Sequence, residues 1–156
     1  MRRTLRGACH CGLVTVEFET GKPEDLPVRA CQCSFCRRHG ARTVADPDGR
    51  LTIRAEPGSL NRYGFGLRTA DFLLCACCGT YVAAVVTANG ASRATLNAAG
   101  VLLAGFETRE GEPVRYDGET AEARVARRLA QWTPTEFASV QAERRSGGER
   151  HAGGSI

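Results

Sequence analysis

Three cysteines within six residues, Cys31-Gln32-Cys33-Ser34-Phe35-Cys36, constrain this chain more than any other feature it carries. Thiols packed that densely are poor core material. Alternation along an extended backbone turns Cys31 and Cys33 to one face, and a turn through Ser34 and Phe35 brings Cys36 round to them. The three sulfurs then converge on a single metal ion. Three thiolates leave a fourth position open, the coordination in which zinc does chemistry, whereas closed four-ligand shells mostly support a fold. The spacing therefore marks Cys31, Cys33 and Cys36 as candidate catalytic metal ligands.

Two more clusters accompany it. Gly7-Ala8-Cys9-His10-Cys11-Gly12 flanks a cysteine pair with glycines that let the backbone fold around an ion, and Cys75-x-x-Cys78-Gly79 has the spacing of a zinc knuckle. Eight cysteines also admit a disulfide framework. That reading needs an oxidising compartment, and Met1-Arg2-Arg3-Thr4-Leu5 runs into glycine and cysteine instead of an apolar leader, so metal binding is the better account. His10, between two same-facing cysteines, points away from them. Cys77 would have to reverse direction to join Cys78 and reads as a buried thiol beside the ligands. His39, three residues after Cys36, is a candidate fourth ligand that would close the shell; a place beside the ligands or on the surface is its alternative.

With 156 residues, 42% of them hydrophobic, the chain suits one domain, drawn as 1–143, followed by a disordered polar tail at 144–156. Val14, Val16 and Phe18 alternate with Thr15 and Glu17, the pattern of a half-buried strand. Residues 41–45 and 50–54 flank Asp46-Pro47-Asp48-Gly49 and read as a hairpin; 81–87 and 92–97 flank Asn89-Gly90 and read as another. Short strands are expected at 101–103 and 114–116. Helix enters only late. Val125, Leu129 and Trp132 recur at helical spacing, and Thr133-Pro134-Thr135-Glu136 has the form of a capping box opening a second short helix through Phe137 and Val140. The fold class is thus mainly β, an open and mostly antiparallel sheet with short C-terminal helices.

The apolar run at 81–86 is far below the roughly 20 residues that span a bilayer, so no membrane association is expected, and the expected location is cytoplasmic. The formal charge is +4, with Lys22 the only lysine. Arginines toward the C-terminus fit a solvated helix face better than a nucleic-acid footprint, so nucleic acid is not the expected partner.

Taken in order, Gly7-x-Cys9-x-Cys11-Gly12, Cys31-x-Cys33-Ser34-x-Cys36-Arg37 and Cys75-x-x-Cys78-Gly79-Thr80 resemble the glutathione-dependent formaldehyde-activating enzyme family, which includes the centromere protein V relatives, over about residues 5–116. The resemblance implies an open β fold of the β-tent type with two zinc ions per chain. By its pattern Cys9, Cys11, Cys75 and Cys78 hold a structural zinc, and Cys31, Cys33 and Cys36 a catalytic one. Gln32 stands where many members carry histidine, and Cys77 is extra. Two zincs held this way would bring the formal charge from +4 to +1.

The implied activity is that of a carbon–sulfur lyase that makes or breaks S-(hydroxymethyl)glutathione or a related thiohemiacetal. Its small-molecule partners are a thiol, with glutathione as co-substrate, and an aldehyde. Arg37 and Arg38, with Arg62 and Arg68, are candidates for the two glutathione carboxylates, because guanidinium groups match carboxylates in bidentate fashion; solvated charge is the alternative for each. Two rival readings are a non-catalytic zinc-stabilised binding module with a filled second site, and a thiol redox switch at Cys31, Cys33 and Cys36. The motifs leave the oligomeric state open.

Overall fold

A computed structural model describes residues 1–140; the tail expected at 144–156 lies outside them. The alternating segment at 14–18 becomes β2 (Thr15–Thr20), paired antiparallel with β1 (Arg3–Ala8), and Val14, Val16 and Phe18 are all buried. The chain continues through β3 (Arg29–Cys31), α1 (Ser34–Arg38), β4 (Thr43–Val44), β5 (Arg50–Arg54), β6 (Leu60–Tyr63) and β7 (Asp71–Cys75). It ends with β8 (Tyr81–Ala88), β9 (Ala91–Asn97), β10 (Glu112–Val114), α2 (Ala121–Gln131) and β11 (Thr133–Ala138). The hairpin read from Asn89-Gly90 is β8–β9.

The sheet forks at β9. One edge of β9 pairs with β8, while the other is divided between β11 at residues 92–94 and β4 at 96–97. Three arms leave this fork: β11 leads to β5, β2 and β1; β4 leads to β3 and β10; and β8 leads to β7 and β6. The result is the open, mainly β architecture expected, with two parallel pairs, β3–β10 and β5–β11, among antiparallel ones. No helix among the described residues is long and apolar enough to cross a membrane.

Four local expectations are corrected. The second C-terminal helix is instead strand β11, which fills the slot between β5 and β9. Its threonines and Phe137 suit a strand, Pro134 comes before the pairing with β5 begins at Thr135, and the Thr133 hydroxyl accepts the Asp46 amide at 2.8 Å. The turn at Asp46-Pro47-Asp48-Gly49 forms, with the Gly49 amide donating to the Asp46 carbonyl at 3.0 Å, but β4 and β5 part after it to different partners and make no hairpin. Residues 101–103 are turns, with Val101 and Leu103 buried and Leu102 exposed. Helix also appears earlier than expected, as α1 within the three-cysteine stretch.

Two apolar clusters lie on either side of β8. Val82 and Val85 belong to the larger one, with Val16, Phe18, Leu51, Ile53, Leu96 and Leu103. Tyr81, Ala84 and Val86 belong to the smaller one, with Phe35, Phe72 and Trp132. The helical stripe read from sequence packs here: Val125 and Leu129 of α2 lie against this second cluster. Thr120 caps α2 by accepting the Ala123 amide at 3.1 Å.

Candidate metal centres and the adjoining cavity

Cys9 and Cys11 sit in the turn after β1, Cys75 ends β7, and Cys78 lies in the turn before β8. Gly12 and Gly79 take left-handed backbone (φ +81° and +76°), which lets each turn close beneath its sulfurs. The Gly79 amide donates to the Cys75 carbonyl at 2.9 Å, and the Val14 amide points at the Cys9 sulfur at 3.3 Å. The four sulfurs converge within 4.8 Å of one another, with Cys9–Cys11 at 3.7 Å and Cys11–Cys75 at 3.6 Å. Ligands about 2.3 Å from a tetrahedral zinc lie about 3.8 Å apart, so this donor set fits the ion. The Thr80 hydroxyl, 3.2 Å from Cys78, leads the hydrogen bonds that pull that thiol down to about 5.

The second group is local in sequence. Cys31 ends β3, which β10 holds in parallel register opposite Val114. Cys33 caps α1, its sulfur accepting the Cys36 amide at 3.4 Å, and Cys36 lies inside that helix. The helix closes with the Ala41 amide on the Cys36 carbonyl and the Gly40 amide on that of Arg37, a Schellman pattern. The three sulfurs also lie within 4.8 Å of one another. Hydrogen bonds from Cys31 and then Cys36 hold Cys33 far below the usual thiol range, while those with Cys31 and then Cys33 push Cys36 up. Three thiols this close oppose one another's ionisation, and a divalent cation between them would remove that opposition.

His39 is not part of this sulfur group. It caps the end of α1 and packs on Phe35 with the rings tilted by 38° and their centroids 4.4 Å apart. His10 is exposed, as expected, while Cys77 is exposed and not the buried thiol expected. All eight cysteines are free.

The three cysteines open into a cavity of about 160 Å³. Its apolar wall is Phe65, Phe72, Tyr81 and Trp132. Phe35, behind Cys36, ties that wall together, with Phe72 and Tyr81 edge-on at 4.8 and 5.0 Å and Phe65 stacked at 5.3 Å. Burial pushes the Tyr81 phenol well up, so it remains protonated. The polar wall is arginine. Arg29, Arg115, Arg124, Arg127 and Arg128 all line it, whereas Arg37, Arg38, Arg62 and Arg68 are absent from the lining. Arg37 and Arg38 point outward from α1 and are exposed, and Arg62 pairs with Asp71 at 2.9 Å. The arginines of α2 read from sequence as a solvated face. Their signal was the placement of Arg124 and Arg128 immediately before Val125 and Leu129, at the border of the buried stripe.

A mainly β protein with an open, forked sheet and two cysteine clusters suited to zinc defines the class to which this chain belongs. Residues 4–116 match the family model described as glutathione-dependent formaldehyde-activating enzyme. The chain belongs to that family. Among solved structures it is similar to a crystal structure of a Rhodobacter sphaeroides protein, at 32% identity and a TM-score of 0.52, over 70% of this chain and 99% of that one.

Proposed function

We propose that this protein is a zinc-dependent carbon–sulfur lyase acting on glutathione–aldehyde adducts of the S-(hydroxymethyl)glutathione type. The observation that carries the reading is a three-sulfur cluster with no fourth ligand beside it among the described residues, facing a cavity with one apolar and one cationic wall. In this reading Cys31, Cys33 and Cys36 hold the catalytic zinc, and Cys9, Cys11, Cys75 and Cys78 the structural one. Zinc bound at the open site supplies Lewis acidity toward a thiol or a carbonyl oxygen.

The chain's own groups do the rest. Phe65, Phe72 and Trp132 keep water from the reacting end of the substrate. In the direction of synthesis the glutathione sulfur attacks the aldehyde carbon, the carbonyl π pair moves to oxygen, and the thiol proton ends on that oxygen. The bond change balances without oxidant or reductant. Tyr81, protonated and facing the cavity, is placed to donate a hydrogen bond to that oxygen as charge develops there. Arginine on the opposite wall attracts the carboxylates of the thiol.

The direct test is exchange spectroscopy on ¹³C-formaldehyde and glutathione with zinc-loaded protein. Adduct formation faster than the uncatalysed rate, returning to background in Cys33→Ser, is expected. No acceleration by the wild-type protein would sink the reading.

A further inference from the structure

The three arginines of α2 are unequally satisfied. Arg127 takes both oxygens of Glu119, at 3.0 Å each, and lies over the Tyr116 ring at 3.6 Å. Arg124 donates from Nη2 to the Tyr116 carbonyl at 2.8 Å; its buried Nε lies 3.5 Å from Glu119 and makes no hydrogen bond among the described residues. Arg128 has no carboxylate within ion-pair distance among the described residues. Its Nη1 donates to the Thr69 hydroxyl at 2.7 Å, its guanidinium carbon lies 4.9 Å from the centre of the Trp132 ring, and its buried Nε has no partner among the described residues. Desolvation, then the neighbouring Arg127 and Arg124, lowers it to about 10, so it is charged at neutral pH.

A half-buried guanidinium whose Nε is buried, with no carboxylate paired to it among the described residues, is costly, and a planar donor already fixed on two sides matches a carboxylate that arrives from outside. The nearby thiolates do not supply the missing charge. Three of them on one divalent ion leave a single negative charge, against five arginines, Asp117 and Glu119 around the same space. We infer that Arg128, with Arg124 beside it, anchors a carboxylate of the adduct, and that α2 is the element that selects which adduct enters the cavity. The inference rests on the proposed lyase reading for its reaction, but not for its binding. Because α2 lies beyond residues 4–116, the anchor stands apart from the motifs matched to the family. The cavity, at about 160 Å³, is smaller than the roughly 300–1,000 Å³ of pockets that enclose a whole ligand. It takes the reacting end of the adduct and one acidic group.

Two probes test this on the zinc-loaded full chain: S-methylglutathione, with its carboxylates intact and its sulfur blocked, and glyoxylate, a carboxylated aldehyde. Calorimetric titrations compare wild type with R128Q, R128K, R124Q and, as a charge control away from the cavity, R2Q. Binding of the first probe assigns the carboxylate to the thiol partner, and binding of the second to the aldehyde partner. In either case R128Q should weaken Kd at least about tenfold, R124Q less, and R2Q less than about twofold. R128K keeps the charge but loses the fork; it should lose affinity several-fold at an unchanged Tm, and it decides the matter should R128Q fail to fold. An R128K that binds as wild type does, or a wild type that binds neither probe, overturns the inference. Exchange spectroscopy scores the lyase reading separately. Probe binding lost in R128Q without wild-type turnover sinks the lyase and keeps the anchor; turnover whose KM does not move in R128Q or R128K does the reverse.

Discussion

In the proposed reading the two cysteine clusters use the same donor atom for opposite ends. Cys9, Cys11, Cys75 and Cys78 come from two turns, with Cys11 and Cys75 separated by 64 positions, and Cys9, Cys75 and Cys78 lie in or against the large apolar cluster. Cys31, Cys33 and Cys36 come from one six-residue stretch, number three, and look into a cavity walled by arginines and aromatics. A metal in the first would cross-link distant parts of the chain and close its own shell. In the second it would constrain little beyond a helical turn and keep a position for a ligand. Span in sequence and number of donors, more than donor chemistry, separate a site that holds a fold from one that acts on a substrate.

Cys78→Ser should therefore have the largest effect. Structural zinc supplies roughly 10–16 kcal/mol in small zinc domains, comparable to or above the whole stability of about 5–15 kcal/mol of a typical domain. The variant should lose the cooperative melting transition, and calorimetry reads this directly. Cys33→Ser should keep that transition within a few degrees, lower zinc content from two per chain to one, and abolish adduct formation. If the two variants melt alike, the division between the clusters fails.

A third variant probes what frames the second cluster. Thr120→Ala removes the cap of α2 and should cost about 0.5–2 kcal/mol, typical of lost N-caps. Hydrogen exchange should speed up in α2 first, and KM should rise with little change in kcat. An equal loss of protection in β1 and β2 would mean that α2 is not a separable wall of the cavity.

The three cysteine motifs were legible in the sequence because each is encoded within a few residues, whereas the union of Cys9 and Cys11 with Cys75 and Cys78 came from the family resemblance and not from spacing. The β8–β9 hairpin was legible for the same reason, through Asn89-Gly90. What failed was decided at a distance. Thr133-Pro134-Thr135-Glu136 satisfies a helix-start pattern locally, yet the slot between β5 and β9 needs a strand, and cross-sheet pairing outweighs a capping box. The Asp46–Gly49 turn was read correctly, but whether the strands on either side pair depends on the competing edges of β2 and β9. Helix α1, at five residues, is too short to show a period. The arginine wall was hidden because a charged residue beside an apolar stripe looks solvated until another element covers it. Tyr116, just after β10, provides that cover, its carbonyl taking Arg124 and its ring lying under Arg127.

The smallest expected effect is also the most local to that wall. Glu119 joins α2 to the segment before it through Arg127, and the Arg127 hydrogen bonds hold its carboxyl below the usual 4.5. A carboxyl lowered in the folded state adds stability that is whole above the unfolded value and fades as pH falls through the folded one. The pair is partly open to solvent, so its worth is about the 0.2–1 kcal/mol of screened ion pairs. Near pH 7, Glu119→Gln should lower Tm by a degree or two, and the difference from wild type should shrink below pH 4. Salt should shrink it as well. Acid also strips thiolates of metal, so the comparison belongs in paired melts at each pH, where loss of zinc affects both proteins and the difference isolates Glu119. A difference that stays the same as the pH falls would mean that Glu119 supports α2 by packing rather than by charge, and that the arginine wall is held in place by the apolar stripe alone.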